Sequence, residues 1–245
     1  MTPDVAVAAV SRLTLASLTF AEPAEWWGAA LADWVASFEP LADLDGITVT
    51  ADASLDRLRW RLVGAPEVVV PRAAAWFEHL GLDADAGELM GATGCWLDVS
   101  ADGLLSGWDL GPERSVLAGG EDGDGEVRHD LAGATLDEQL GAGMALFDEL
   151  GVEQLPDEVL GRFAATSRPR LLATVARSGG GVSAVALGAV EPTTESVLVV
   201  RDAVGVRDDD TLAAFEGALG VTDRVRLEVV QRASGPTARV VYAVA

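Results

Sequence analysis

The sequence contains no lysine and no asparagine, and only one cysteine, one tyrosine and two histidines among its 245 residues. A single cysteine excludes an internal disulfide and fits a reducing compartment. The sequence therefore predicts a cytoplasmic location, with Cys95 as a small core residue. The two histidines and the cysteine have no metal-ligand spacing, so no cofactor is expected, with magnesium left open although no motif for it is present.

Basic charge is also scarce, and all 17 basic residues are arginines. The 39 acidic residues outnumber them and leave a net charge of −22. This balance argues against nucleic-acid binding, which needs a basic stripe, and against binding to anionic membranes. No apolar run approaches the roughly 18 residues of a membrane span, and residues 1–20 lack the basic start of a signal peptide. The expected partner is a small molecule, and an anionic one needs a local, enclosed arginine cluster.

Two segments share one pattern, Leu-Gly-apolar at the start and an apolar pair followed by glycine at the end: "HLGLDADAGELMG" at 79–91 and "ELGVEQLPDEVLG" at 149–161. Each stretch follows an amphipathic helix and precedes strand-like sequence. Thr135 and Glu138 have the spacing of a capping box. Helices are predicted over 24–38, 71–79, 135–150 and 208–220, and hairpins over 46–64, 94–111, 170–190 and 224–245. Segments 114–118 and 196–202 give weaker strand signals, and 119–126 has the composition of a loop.

A helix, a Leu-Gly stop and a hairpin thus recur about four times. The glycine after the last leucine of each helix is expected to cap it in the left-handed conformation. Each hairpin is too short to cover its own apolar face, so neighbouring units must stack. We predict a single α+β domain, 1–245, of about four αββ units that form an antiparallel β-barrel with helices outside. The units cover approximately 24–64, 71–110, 135–190 and 208–245. An ordinary α+β domain with coincidental Leu-Gly caps is the alternative.

In its order of elements, the segment 146–190 resembles a unit of the bacterial aromatic prenyltransferases of the ABBA class. Segment 76–110 is similar to the preceding unit and 220–245 to the closing hairpin, so that with 41–64 the resemblance covers about two thirds of the chain. The resemblance implies a PT barrel that transfers an allylic prenyl group from a diphosphate to a small aromatic acceptor, in secondary metabolism and often without a metal. Family members have five units, and a reduced fifth unit is expected within 111–133.

The resemblance also implies that basic and tyrosine side chains inside the barrel bind the diphosphate. This chain has no lysine. Arg239 and Tyr242 stand close to a family lysine and tyrosine, whereas Thr174 and Ala184 stand near a family tyrosine and arginine.

Alternating charged and apolar residues identify candidate lumen positions. Arginine alternates with leucine or tryptophan over 57–63, and charged residues alternate with apolar ones over 224–229. If the apolar sets face the helices, the charged sets converge inside the barrel, where arginine forks suit phosphate oxygens. Catalytic residues are not assigned; the residues predicted to bind substrate are Arg57, Arg59, Trp96, Asp98, Trp108, Arg226, Glu228, Arg239 and Tyr242.

Within this set, the arginines are expected to hold the leaving diphosphate, with Asp98 and Glu228 as their buried partners. Tyr242 and the tryptophans, with Trp60 also considered, would shield the allyl cation. The same patterns have plainer interpretations, since alternating arginine is typical of a solvated sheet face and tryptophan of a core. Two other functions stay open: a barrel that binds a ligand or catalyses a cyclisation without a diphosphate, and a non-catalytic, chaperone-like acidic module with an open sheet.

Overall fold

The computed structural model describes residues 1–17, 25–55, 57–82, 87, 89–100, 103–121, 123–207, 209–220 and 223–244. The helices are α1 Pro3–Ser17, α2 Glu25–Ser37, α3 Pro66–His79, α4 Leu136–Leu150, α5 Asp157–Thr166, α6 Thr194–Ala203 and α7 Asp209–Leu219. The strands are β1 Gly46–Asp52, β2 Arg57–Val63, β3 Gly94–Ser100, β4 Gly103–Asp109, β5 Arg114–Leu117, β6 Gly125–Asp130, β7 Leu171–Ser178, β8 Gly181–Val190, β9 Asp223–Arg232 and β10 Gly235–Ala243.

The ten strands form one closed antiparallel barrel, in which β1 pairs with both β2 and β10. The predicted α+β fold, a barrel of helix–hairpin units, is confirmed, and the open sheet of the non-catalytic alternative is wrong. A fifth hairpin, β5–β6, lies within 111–133, where a reduced unit was expected. The five hairpin turns lie at one end of the barrel, which we call the turn end; the other end is the helix end.

Two local predictions were wrong. Residues 196–202 form part of α6 rather than a strand, because Thr193 caps the helix through the Ser196 amide and Val197 and Val200 share its buried side. The segment 119–126 is not loop throughout, since β6 begins at Gly125.

The helix ends follow the sequence signals closely. Gly81, Gly151 and Gly220 have φ values of 68°, 65° and 64°, as expected for left-handed caps. Thr135 and Glu138 form the predicted capping box at the start of α4. Helix α3 begins at Pro66 rather than Pro71, which lies inside the helix. None of the described helices is long and apolar enough to cross a membrane.

The apolar core lies between the barrel wall and its jacket of helices. Leu58, Trp60 and Leu62 of β2 are fully buried on the helix side, while the intervening arginines point the other way. Cys95 is likewise a buried core residue, as predicted. The alternation of each strand therefore separates an apolar outer layer from a polar lumen.

Gly107 of β4 marks the closest approach inside the barrel. A β-carbon at this position would lie 2.0 Å from the Val116 carbonyl oxygen and 2.3 Å from Cζ2 of Trp96. The Trp96 ring therefore packs against β4 only because residue 107 has no side chain.

We expect Gly107→Ala to lower the free energy of unfolding by about 2–3 kcal/mol, because the ring and a strand backbone must both move. Urea denaturation measures the change. Gly161→Ala in α5 is the control: its β-carbon would meet nothing within 4 Å, so the variant should gain up to about 1 kcal/mol. A Gly107→Ala protein as stable as the parent would contradict the tight contact.

Candidate functional site

Charged residues dominate the lumen. Register places alternate residues of every strand inside, and these include seven arginines and five buried carboxylates among the described residues. The arginines are Arg57, Arg59, Arg61, Arg128, Arg226, Arg232 and Arg239. The carboxylates are Asp52, Asp98, Asp109, Glu126 and Glu228. The lumen thus carries an excess of positive charge inside a chain whose net charge is −22.

Asp98 and Glu126 link arginines of neighbouring strands. Arg57 holds Asp98 with two parallel hydrogen bonds of 2.7 and 2.9 Å. Arg59 lies 2.9 Å from Asp98 Oδ2 through one nitrogen and 2.8 Å from Glu126 Oε1 through another. The Arg59 guanidinium therefore bridges two carboxylates, and little of its hydrogen-bonding capacity is left for a ligand.

Glu228 extends the same chain of contacts on the other side. It accepts from Arg226 and Arg239, one on each carboxylate oxygen. Arg239 also lies 3.3 Å from Glu126, which joins the two halves. These contacts form one continuous chain of seven charged residues, which we call the ion network. In order, its members are Arg57, Asp98, Arg59, Glu126, Arg239, Glu228 and Arg226.

Two smaller ion pairs lie above and below the ion network. Towards the helix end, Arg61 Nε lies 3.0 Å from Asp109, which also accepts from the Ser115 hydroxyl at 2.6 Å. Towards the turn end, Arg232 lies 3.4 Å from Asp52. This last contact is the longer and weaker of the two.

The network holds its carboxylates in the charged form. Burial opposes the charge on Glu228, but Arg226 and Arg239 outweigh it and lower the pKa of Glu228 to about 2. The pKa of Glu126 is likewise well below its ordinary value, because Arg59 and Arg239 overcome the effect of burial. Asp52 differs: burial dominates over Arg232 and Arg239, and its pKa is raised.

A cavity of about 280 Å³ opens at the turn end, next to the ion network. Its charged wall consists of Arg57, Arg59, Arg177, Arg232, Arg239 and Glu126. Its apolar wall includes Trp96, Leu105, Leu117, Ala176 and Ala184. The arrangement suits a small ligand with an anionic part and an apolar part.

Seven of the nine predicted residues point into the lumen: Arg57, Arg59, Trp96, Asp98, Arg226, Glu228 and Arg239. Arg57, Arg59, Trp96 and Arg239 line the cavity, and Asp98 lies directly behind the first two. Arg226 and Glu228 lie deeper in the barrel, towards the helix end. Their role in substrate binding stays a prediction. Thr174 and Ala184, the positions without the family's tyrosine and arginine, also face the lumen, and Ala184 lines the cavity.

Tyr242 and Trp108 do not lie where the sequence analysis placed them. The Tyr242 hydroxyl donates to Glu216 of α7 at 3.0 Å, and its ring contacts Phe215 of the same helix. Trp108 packs against Phe77 of α3. Both rings belong to the core between wall and helices, and so does Trp60, so none of them shields a cation in the lumen.

Trp96 is in the lumen, but its ring is already in contact with Arg59 and with β4. The Arg59 guanidinium carbon lies over the ring, 4.6 Å from its centroid, and the ring rests on Gly107. A cation–π contact of this kind stabilises the arginine. A ligand would have to displace Arg59 to stack on this indole, so we expect Trp96 to contribute its edge to the cavity.

Sequence reasoning missed several lumen residues. Glu126 was assigned to a loop, and Asp52, Arg177 and Arg232 were not singled out, although all four lie in or directly behind the cavity wall. Glu126 had no usable signal, because its strand is only six residues long and begins in a glycine-rich stretch. Asp52 and Arg232 end strands β1 and β9 at positions that continue the inward alternation, a signal that was available.

Among the described residues, no three His, Cys, Asp or Glu side chains group closely enough to hold a metal ion. The lumen carboxylates are instead each matched to arginines. Whether magnesium takes part with a ligand stays a prediction.

No family model matches the chain, and no curated protein sequence matches it. The structure is similar to the crystal structure of 5-dimethylallyltryptophan synthase from Streptomyces coelicolor, with a TM-score of 0.67 over 97% of each chain and 12% sequence identity. At this identity the likeness establishes the fold alone. The chain therefore has the PT-barrel fold, and the resemblance to aromatic prenyltransferases is confirmed at the level of fold.

The pKa of Glu228 generates a stability prediction. Because its pKa falls from an ordinary value of 4.5 to about 2 on folding, the charged form stabilises the protein above pH 4.5, and this contribution is lost as the pH falls towards 2. We expect Glu228→Gln to cost about 3 kcal/mol or more at pH 7, because two arginines lose their buried partner, and to flatten the acid dependence of stability.

Urea denaturation between pH 2.5 and pH 7 measures both effects. Glu149→Gln, an exposed change on α4, is the control and should alter stability by less than about 0.5 kcal/mol. Equal stability of the Glu228→Gln and parent proteins at pH 7 would mean that the network contributes nothing to the fold.

Proposed function

We propose that the protein is an aromatic prenyltransferase that uses the turn-end cavity to bind an allylic diphosphate and transfer its prenyl group to a small aromatic acceptor. The observation that carries the proposal is the composition of the cavity wall, where five arginines face a single carboxylate beside an apolar surface. A prenyl diphosphate has the same division between a strongly anionic end and an apolar tail.

Prenyl transfer requires stabilisation of the diphosphate that leaves. The carbon–oxygen bond of the allylic diphosphate breaks, the diphosphate departs with the electron pair, and the aromatic ring attacks the allyl carbon. Arginines placed where this charge develops lower the barrier, above all in a cavity shielded from water. The guanidinium groups at the mouth of the cavity are suited to this task because their forks match phosphate oxygens.

The attacked ring must then lose a proton, and Asp52 is the best-suited acceptor. It lies at the turn end beside Arg232, and burial raises its pKa. The pKa values of Asp98, Glu126 and Glu228 are lowered by their arginines. These three carboxylates are therefore weaker bases than Asp52. Asp52 lies behind the cavity wall, 3.4 Å from Arg232, so we propose that it receives the proton through the groups of that wall rather than by direct contact with the ring.

Transfer is tested by incubating the protein with dimethylallyl diphosphate and an indole acceptor such as tryptophan, because the similar structure is named for the synthesis of 5-dimethylallyltryptophan. We expect a prenylated product by mass spectrometry and a rise in melting temperature with the diphosphate alone. Ala184→Phe, which fills the cavity from a small residue of its wall, should abolish both signals.

Tyr242→Phe is the matched control, because Tyr242 contacts α7 rather than the lumen. It should leave product formation unchanged, apart from a loss of about 1 kcal/mol in stability. A folded parent protein that shows neither a thermal shift at millimolar diphosphate nor product with a range of indoles and phenols would refute the proposal.

A second candidate is a barrel that binds one small anionic ligand without prenyl transfer. Two observations favour it. The cavity of about 280 Å³ is slightly smaller than the usual range of ligand-site volumes, and Arg59 and Arg239 are already engaged by carboxylates. One-to-one binding of a diphosphate with no product from any acceptor would select this candidate.

A further inference from the structure

The β5–β6 hairpin is the weakest part of the barrel wall. Its strands have four and six residues, whereas the other eight strands have seven to ten. Short ladders have few backbone hydrogen bonds and open more readily than long ones. Leu117, Gly125 and Glu126 of this hairpin nevertheless line the cavity. The cavity wall therefore needs a further contact that holds the hairpin at the turn end.

Asp124, directly before β6, makes such a contact. The residue is only 4% exposed, and its carboxylate accepts hydrogen bonds from three backbone amides. Oδ2 accepts from Glu121 at 3.1 Å and from Gly179 at 2.9 Å, and Oδ1 accepts from Gly180 at 3.3 Å. Glu121 belongs to the same hairpin as Asp124, whereas the two glycines connect β7 to β8. The side chain therefore joins two neighbouring hairpin turns.

The conformation of the β7–β8 turn suits a carboxylate at this place. Gly179 and Gly180 have φ values of 59° and 72°, and consecutive turn residues can direct their amides towards one anion. The pKa of Asp124 is lowered, mainly by the Gly179 amide. The acceptor is therefore a charged carboxylate, whose hydrogen bonds are stronger than those of a neutral group.

We propose that Asp124 is a latch that holds the β5–β6 hairpin against the β7–β8 turn and thereby fixes the wall of the cavity. Regular pairing of β6 with β7 ends at Gly125 and Arg177, and the Asp124 side chain continues the connection beyond this pair. Wall residues lie beside the latch on both hairpins, among them Gly125 on one and Ser178 on the other. Opening of the latch would separate these two parts of the wall and weaken the binding of any ligand held between them.

Amide hydrogen exchange, measured by NMR, tests the latch without any ligand. We expect Asp124→Ala to raise the exchange rates of the Gly179 and Gly180 amides about tenfold or more, because both lose their acceptor. Asp124→Asn should keep protection at Gly179 and lose it at Gly180, because its side chain has one acceptor oxygen instead of two. Asp130→Ala is the control, an exposed carboxylate at the other end of β6, and should exchange as the parent does.

Isothermal titration calorimetry with dimethylallyl diphosphate tests the effect of the latch on the cavity. We expect the affinity of Asp124→Ala to be about tenfold below that of the parent protein. Asp124→Asn should recover part of this loss, and Asp130→Ala should bind as the parent does. A residue that only stabilised the fold would lower the melting temperature without changing the affinity of the folded protein.

The outcomes separate this inference from the proposed function. Faster exchange confined to the Asp124 variants supports the latch even if the parent protein binds no dimethylallyl diphosphate, a result that would count against the proposed function alone. Unchanged exchange in Asp124→Ala overturns the latch. If that variant does not fold, the Gly180 amide of Asp124→Asn decides in the same way. Where the parent binds the diphosphate, equal affinity in Asp124→Ala overturns the role in the cavity and leaves the transferase intact.

Discussion

Pairing between arginine and carboxylate inside a closed barrel is the constraint on which the rest of the structure depends. Closure withdraws the inner face of every strand from bulk water, while the helices cover the outer face. A buried guanidinium without a partner costs several kcal/mol. The alternating arginines of β2 are therefore compatible with a barrel only because Asp98, Glu126 and Asp109 stand opposite them. Fold and charge pattern have to be explained together.

The same pairing decides which parts of the lumen can meet a ligand. In the ion network each arginine has a carboxylate within hydrogen-bonding distance, so an incoming anion would compete with a partner that is already desolvated and well placed. At the turn end this competition is absent or weak, because Arg177 has no partner within the described residues and Arg232 has one long contact. The surplus of positive charge is thus located at the mouth, although the chain as a whole is strongly acidic.

Much of the architecture could be predicted from the sequence, because helix caps and hairpins are local signals. Gly81, Gly151 and Gly220 end their helices as expected. The errors in the site came from setting strand alternation aside. Residues three apart on a strand face opposite sides, so Arg239 and Tyr242 cannot both enter the lumen. Antiparallel pairing sets Trp96 opposite Gly107, which turns Trp108 outward and Asp109 inward.

The remaining residues were beyond sequence reasoning for physical reasons. Glu126 enters the lumen on a strand whose first residue, Gly125, has a φ of 137° and would press a β-carbon to within 2.1 Å of the Ser115 carbonyl oxygen. In the sequence, a glycine that such a contact requires cannot be distinguished from the neighbouring glycines of the loop. Ser183 joins the cavity wall at a register shift of β8, where it is skipped between the pairs Ala176–Ala184 and Arg177–Val182, and no period of two contains such a shift. Both cases arise where strands depart from regular pairing, which is where barrels commonly redirect side chains at their rims and beside their sites. The regular strands therefore supply most of the buried ion network, whereas departures from regular pairing shape the wall of the open cavity at the turn end.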